Sequence, residues 1–392
     1  MNFDVLVVGG GPSGSSAAIT AARAGLSVCL IDKSIFPRDK LCGGLVTPRS
    51  RDVFESVFGH VWRDDLFRES SNIAFVAGNK TLATLSGYRK LYFTMRKDFD
   101  FYLLSLAEKS GVEVKQGVSI ENIDFSNKTL TTNRGDRLTY RALIGCDGVN
   151  SVVARQLFGQ SFNPKTIGFG LEVEVPITAE FGLSDLVEID FAGARWGYGW
   201  MFPKQDSITI GVGGIHRLND DMKDHLANYL SRKNIDASKL KIKGQYIPFG
   251  DYRKTPGRAS VLLCGDAAGI VDPITGEGIA YAMQSGHAAG IAVSEAISLN
   301  SSESALSIYL PEYRKVVKDI SRANAWRWFI FPKLFQGAFS WAFADAGTLQ
   351  RGYLDILAGT KSYSDLPALF LEQVRKAVRK ITKKIFDKTG TK

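Results

Sequence analysis

Cysteine and histidine are scarce, four of each among 392 residues. Cys29, Cys42, Cys146 and Cys264 form no C-x-x-C pair, and His60, His216, His225 and His287 show no clustered ligand spacing. This argues against a zinc site or an iron–sulfur cluster and fits a reducing compartment; no metal is expected. Long apolar runs are lacking as well. The most apolar stretch, 325–343, is interrupted by Arg327, Pro332, Lys333 and Gln336, so it does not read as a membrane span. Met1 leads straight into an apolar run without a basic n-region, and a cytoplasmic chain with no signal peptide is the expectation. Acidic residues are outnumbered, 40 against 49 basic, leaving a net charge of +9. That balance favours anionic partners such as a nucleotide or a membrane surface. No basic stripe interleaved with stacking aromatics is present, so nucleic acid is not an expected partner. Repeats and low-complexity linkers are also missing, and the length suits two or three domains or subdomains.

The glycines are where the information lies. Val5 to Val8 reads as a buried parallel strand, short, apolar and bounded by glycine. Gly9, Gly11 and Gly14 follow in G-x-G-x-x-G spacing, with Pro12 and Ser13 between them. The first glycine allows a tight turn, the second lets main chain approach a diphosphate, and the third lets helix pack on strand. The small residues 15–23 predict a helix whose N-terminus faces the phosphates. Residues 27–31 predict the second strand, closed by Asp32 and Lys33. A carboxylate there accepts from a ribose hydroxyl.

Two later segments repeat the logic. Gly145-Cys146-Asp147-Gly148 and Leu263-Cys264-Gly265-Asp266 each end an apolar strand, where open α/β sheets present ligand groups. Each alone is an ordinary turn. Together with the first motif they point to FAD. Asp266 suits a ribityl hydroxyl. In residues 273–278, Gly276 and Gly278 let main chain approach a flavin ring, and the following helix, 278–297, stabilises negative charge there.

The expected fold is α/β, α+β overall. A discontinuous Rossmann-like FAD domain (1–45, 96–160 and 255–300) holds an inserted antiparallel-sheet substrate domain (46–95 and 161–254). A helical region, 301–392, ends the chain. Alternating runs within 166–250 carry the sheet prediction. A second G-x-G-x-x-G is absent, so the reductant is either NAD(P)H bound transiently or a reduced electron carrier.

On these motifs the chain resembles the p-hydroxybenzoate-hydroxylase-like FAD superfamily and, within it, the geranylgeranyl reductase family. The resemblance covers essentially the whole chain. Its more specific marks are Lys40-Leu41-Cys42-Gly43-Gly44, Arg96-x-x-Phe99-Asp100, and Tyr198-Gly199-Trp200-Met201-Phe202-Pro203-Lys204. The last is similar to the family's Y-x-W-x-F-P signature. The resemblance implies that Arg96 contacts FAD and that Tyr198, Trp200 and Phe202 line a substrate chamber. It implies an FAD-dependent reductase saturating C=C bonds of an isoprenoid lipid or prenyl diphosphate by hydride transfer. Rivals are a flavin monooxygenase or halogenase on the same fold, and a flavoprotein passing electrons to a quinone or partner.

An isolated alkene has no electron sink, so hydride addition needs a proton at the other carbon. Tyr198 and Trp200 are candidates for stabilising positive charge there. As residues alone, Tyr198, Trp200 and Phe202 equally read as the core face of a strand. Cys42, with Gly43 and Gly44, lies in a loop that can fold over the ring. It is either a catalytic or ring-side residue or a buried small one. Finally, 369–388 alternates apolar residues with Arg and Lys at helical spacing. It reads as an amphipathic helix, either lying on an anionic membrane or docked with a solvated basic face.

Overall fold

The computed structural model describes residues 1–60, 62–177, 185–344 and 347–389. It has the mixed α/β fold the motifs predict. One sheet runs Gly257–Arg258, Val261–Leu263, Arg137–Gly145, Asn2–Val8, Val28–Asp32, Glu113–Gln116. From Val261–Leu263 to Glu113–Gln116 its strands are parallel. The register aligns Val8 with Ile31 and Gly145, and Gly145 with Leu263. All three glycine landmarks therefore leave the same carboxyl edge, although they are more than 250 residues apart at the extremes.

The helix Pro12–Arg23 packs against Ile279–Ser298. Small residues permit the closeness. A Cβ on Gly286 would lie 2.1 Å from the Ser13 carbonyl oxygen, and one on Gly290 2.7 Å from Thr20.

The second sheet has eight strands: Lys243–Ile247, Gly168–Pro176, Ser207–Ile215, Gly197–Pro203, Leu186–Asp190, Arg68–Ala77, Lys80–Phe93 and Leu45–Val46. It is antiparallel except where Leu186–Asp190 meets Arg68–Ala77. Both faces are covered. Leu171, Val173, Met201, Ile210 and Val212 pack with Leu226 and Tyr229 of the helix Met222–Ser231. The opposite face carries Phe75, Phe191, Tyr198, Trp200 and Phe202 toward the C-terminal helices.

Three elements were not foreseen. Residues 46–95 are not only β-like: Pro48–Phe58 is a helix, capped by the Thr47 side chain and ended by Gly59 at φ 63°. Val53, Phe54, Val57 and Phe58 give it a buried helical stripe. Met222–Ser231 interrupts the region read as sheet. A hairpin, Ile120–Asp124 with Thr129–Thr132, extends the parallel sheet. The C-terminal region is helical as expected: Ala305–Ile330, Lys333–Phe343, Thr348–Leu357 and Leu366–Thr389. Among the described residues no helix is long and apolar enough to cross a membrane.

Candidate active site

A cavity of ≈ 490 Å³ runs from the carboxyl edge of the parallel sheet to the face of the antiparallel one. That is an ordinary size for a ligand pocket, roughly 300–1,000 Å³. Gly9, Gly11, Pro12, Ser13, Asp32 and Lys33 line one end. Gly9 sits at φ 103°, and a Cβ there would lie 2.3 Å from the Cys146 carbonyl oxygen. A Cβ on Gly14 would lie 1.7 Å from the Gly9 oxygen. At Gly11 a Cβ would meet only Arg38, at 3.6 Å, so that side of the turn opens to the cavity. The helix behind it has no side-chain cap and no acid in its first turn. Its first amides are free for an anion. Asp32 accepts from Gly10 N at 2.7 Å and Ser34 N at 2.8 Å. Each oxygen keeps a lone pair for a sugar hydroxyl.

Cations gather on the adjoining wall. Arg96 Nε and Nη2 donate to Asp100 at 2.7 and 2.9 Å, and Arg38 reaches the same carboxylate at 3.2 Å. Burial works against the Arg96 charge, and Asp100 and Cys42 more than offset it. Arg38 Nη1 is buried with no partner. Lys40 and Asp266 also line this wall. Burial pulls the Lys40 ammonium below the usual lysine range, with Asp266 pulling the other way. A main-chain turn that is open to the cavity at Gly11, and a buried guanidinium nitrogen awaiting an acceptor, fit the diphosphate and sugar of FAD.

Asp147 lines the cavity, but its carboxylate already accepts from Ser151 Oγ at 2.5 Å and from Val152 N and Val153 N at 2.6 and 3.2 Å. It caps the helix Val152–Phe158.

Residues 272–278 form the next wall, and buried bonds fix them. Asp272 accepts from Ile274 N, Thr275 N and the Tyr363 hydroxyl, the last at 2.7 and 2.8 Å to its two oxygens. Glu277 accepts from Thr47 Oγ1 at 2.6 Å and Ala280 N at 2.9 Å. Tyr198 Oη donates to Thr275 O at 3.1 Å. Gly276, at φ 71°, would carry a Cβ 1.9 Å from that hydroxyl. The Tyr198 hydroxyl is thus committed to this loop. Gly278 is the N-cap of Ile279–Ser298 and faces the cavity.

The far end is a grid of side chains. Register aligns Gly170, Gly213 and Tyr198 in one row, then Glu172, Gly211 and Trp200, then Glu174, Thr209 and Phe202. The Trp200 indole lies across the glycines: added Cβ atoms on Gly211, Gly213 and Gly170 would sit 2.3, 3.3 and 3.4 Å from it. The Cys42 loop closes over this surface. A Cβ on Gly43 would lie 2.8 Å from Phe202 and 3.2 Å from Trp200 Nε1, and one on Gly44 would lie 2.2 Å from the Thr94 carbonyl oxygen. Cys42 N donates to Glu172 Oε1 at 3.0 Å, and Gly44 N donates to Cys42 Sγ at 3.4 Å.

Behind residues 274–275 lies a second, almost wholly apolar cavity of ≈ 50 Å³, lined by Phe191, Ile274, Phe329, Phe343, Tyr353 and Phe370 among others. Ile274 faces it while Thr275 faces the main cavity. Outside, Trp328, Leu334, Phe335, Trp341 and Leu371 are exposed on the C-terminal helices. Of the basic helix read at 369–388, the side chains of 377, 378 and 380–389 lie outside the described residues.

An FAD-binding domain family matches residues 2–188. A digeranylgeranylglycerophospholipid reductase of Methanosarcina acetivorans is 33% identical over 322 residues, 76% of this chain and 76% of the relative. A geranylgeranyl diphosphate reductase of Rhodobacter capsulatus is 30% identical over 310 residues, 76% and 75% of the two chains. The chain belongs to the geranylgeranyl reductase family. A solved geranylgeranyl bacteriochlorophyll reductase-like protein of Thermoplasma acidophilum shares the fold, with TM-score 0.73 and 21% identity over 98% of this chain and 99% of that one.

For this reductase family member, an FAD-dependent oxidoreductase, sequence reasoning placed the glycines and aromatics on the cavity, quoted Lys40 only as part of the Cys42 motif, and passed over Arg38 and Glu172. Arg38 precedes that motif and was readable as a cation beside a cofactor loop. Glu172 falls in one of the alternating runs that carried the sheet prediction, and a polar position in such a run ordinarily faces solvent. Here the Cys42 loop covers it, and Glu172 is only 4% exposed.

Proposed function

We propose that this enzyme saturates carbon–carbon double bonds in the isoprenoid chain of a prenyl lipid or prenyl diphosphate. The observation that carries this is the continuity of the cavity from a nucleotide-type main-chain cradle to an aromatic wall, with an apolar cavity behind the loop between them. The two relatives named above act on different head groups, yet both names carry the geranylgeranyl unit. Recognition of the chain rather than the head fits the apolar lining.

When bound, reduced FAD supplies a hydride to the alkene, and NAD(P)H or a reduced electron carrier restores it. Gly9, Gly11, Pro12, Ser13 and Gly14 hold the diphosphate. Asp32 and Lys33 serve the adenosine ribose, and Arg38 and Arg96 the neighbouring polar atoms. Asp266 holds the ribityl chain, while Gly43, Gly44, Gly276 and Gly278 leave room beside the ring. Asp147 supports this edge through its helix cap. Tyr198 acts as a positioning residue for 275–276. Trp200 and Phe202 form the floor against which the chain lies, and the indole face stabilises developing positive charge. Cys42 closes the site and excludes water. The exposed aromatics around the second cavity, with Lys333, Arg375 and Lys376 nearby in sequence, suit peripheral contact with an anionic bilayer, the source of a lipid substrate.

The test is anaerobic. The purified holoprotein is reduced, mixed with geranylgeranyl diphosphate or a digeranylgeranyl phospholipid, and followed by flavin reoxidation and product mass. Gain of two hydrogens per step is expected. Oxygen incorporated into product in air would replace the reductase with the monooxygenase reading. Reoxidation only by a quinone would favour electron transfer.

A further inference from the structure

The aromatic floor contains one carboxyl group with an unused oxygen. Glu172 Oε1 accepts from Cys42 N, whereas Oε2 is buried with no partner. The residue lines the main cavity. Its register neighbours are Lys243 on one side and, on the other, Gly211 and beyond it Trp200, whose Nε1 is also unpartnered. The groups acting on the carboxyl from each packed element are Lys204, Glu174 and Lys243, with Cys42 above. Lys204 does not satisfy Oε2: its ammonium is bonded to Glu174 Oε1 at 2.9 Å. Glu174 is further occupied by Ser207 at 2.7 Å and Thr209 at 2.6 Å. Lys243 is turned to Asp39 at 3.1 Å.

A carboxylate oxygen buried without a donor is costly, and the group answers by keeping its proton. A protonated Oε2 has an O–H to donate and nothing in the protein to receive it. The side chain belongs to the wall of the main cavity.

We propose that Glu172 is the general acid of the reduction, with its Oε2 proton delivered to the alkene carbon that does not receive the hydride. The inference rests on the reductase reading above. In the step the alkene π bond breaks and one carbon takes the hydride, whose two electrons come from the reduced cofactor. The other carbon takes the proton from Glu172 as the carboxyl O–H bond breaks, leaving two new C–H bonds and a carboxylate. Lys204 and the Cys42 amide then stand beside that negative charge, and a solvent proton restores the acid. Burial, opposed by Lys204, pushes the Glu172 carboxyl up to about 7, so near neutral pH about half of the molecules hold a transferable proton.

Glu172→Gln separates chemistry from support. The amide oxygen still accepts from Cys42 N, so the loop stays seated, but the acid is gone. In the full-length holoprotein, single-turnover reduction of geranylgeranyl diphosphate is expected to fall by roughly 10²-fold or more in the glutamine variant, with flavin content retained. Cys42→Ala is expected to fall far less. Infrared difference spectra between acidic and alkaline buffer, taken without substrate, are expected to contain a protonated-carboxyl band in the wild type that the glutamine variant lacks. The proposal is overturned if the glutamine variant turns over at the wild-type rate, if Cys42→Ala shows the larger loss, or if no such band depends on Glu172. A wild-type holoprotein that reduces no prenyl chain sinks the reductase reading itself, a result none of those three mimics.

Discussion

At the nucleotide end of the main cavity the wall is main chain. Gly9 and Gly14 exist because carbonyl groups occupy the space a side chain would need, 2.3 and 1.7 Å away. At the sheet end the wall is side chain. Trp200 and Phe202 share one strand and Glu172 comes from another, and they are aligned only through the register each keeps with Ser207–Ile215. Glycine matters at both ends but for opposite reasons. In the first it lets main chain pass close to main chain, and in the second it makes a bed for an indole. Two of the three buried polar atoms left unpartnered along this cavity, Trp200 Nε1 and Glu172 Oε2, lie at the side-chain end, and the third, Arg38 Nη1, lies on the cation wall. On the proposed function, the main-chain end binds one fixed group and the side-chain end retains groups for chemistry.

The contrast breaks most severely at Gly14. Gly14→Ala forces a Cβ onto the Gly9 carbonyl, and neither strand nor helix can yield without the other. Loss of bound flavin is expected, with destabilisation above the roughly 1–3 kcal/mol typical of overpacking. Flavin absorbance per protein and thermal melting check it. Gly211→Ala tests the other end. Its Cβ would overlap Trp200 at 2.3 Å and approach the Leu171 carbonyl at 2.8 Å. A cost of about 1–3 kcal/mol is expected, with flavin retained and prenyl turnover lost. If Gly211→Ala releases flavin as Gly14→Ala does, the two ends are not separable.

Smaller effects sharpen the boundary between them. Tyr363→Phe leaves the buried Asp272 without its hydroxyl donor, at about 1–3 kcal/mol, read as a lower melting temperature. The last effect is a pH dependence. Folded Glu172 keeps its proton to about 7, whereas its ordinary value is 4.5. The native state therefore binds the extra proton between those values, and this contribution to stability is full below about 4.5 and lost as pH rises through about 7. Glutamine resembles the protonated acid and does not titrate, so melting curves of wild type and Glu172→Gln should agree best at the acidic end of that window, with the wild type falling relative to the variant as pH rises. Parallel curves would contradict the assignment.

The same contrast explains what was legible in the sequence. Backbone recognition demands glycine at fixed spacing beside strands, so Gly9-Gly11-Gly14, Asp32 and the two later landmarks were readable, and with them the fold and FAD. Tyr198, Trp200 and Phe202 were readable as one face of a strand by alternation. Which layer covered that face was not, because it depends on the Cys42 loop arriving from the other sheet. Glu172 was hidden for the same reason: a polar residue in an alternating strand looks solvated until something folds over it. The helix Pro48–Phe58 went unseen because its stripe is short and lies between β-like runs, although Thr47 and Gly59 mark its ends.

The glycine bed under Trp200 carries a consequence for engineering. Gly170, Gly211 and Gly213 have already given up every side-chain atom they had, so the floor beneath the indole can be raised by substitution but never lowered. Room for a bulkier or longer chain has to come from elsewhere, and the second cavity behind residues 274–275 is lined by Phe329, Phe343, Tyr353 and Phe370, all large enough to be cut back. Library diversity belongs on those four helical positions, with the three strand glycines held constant.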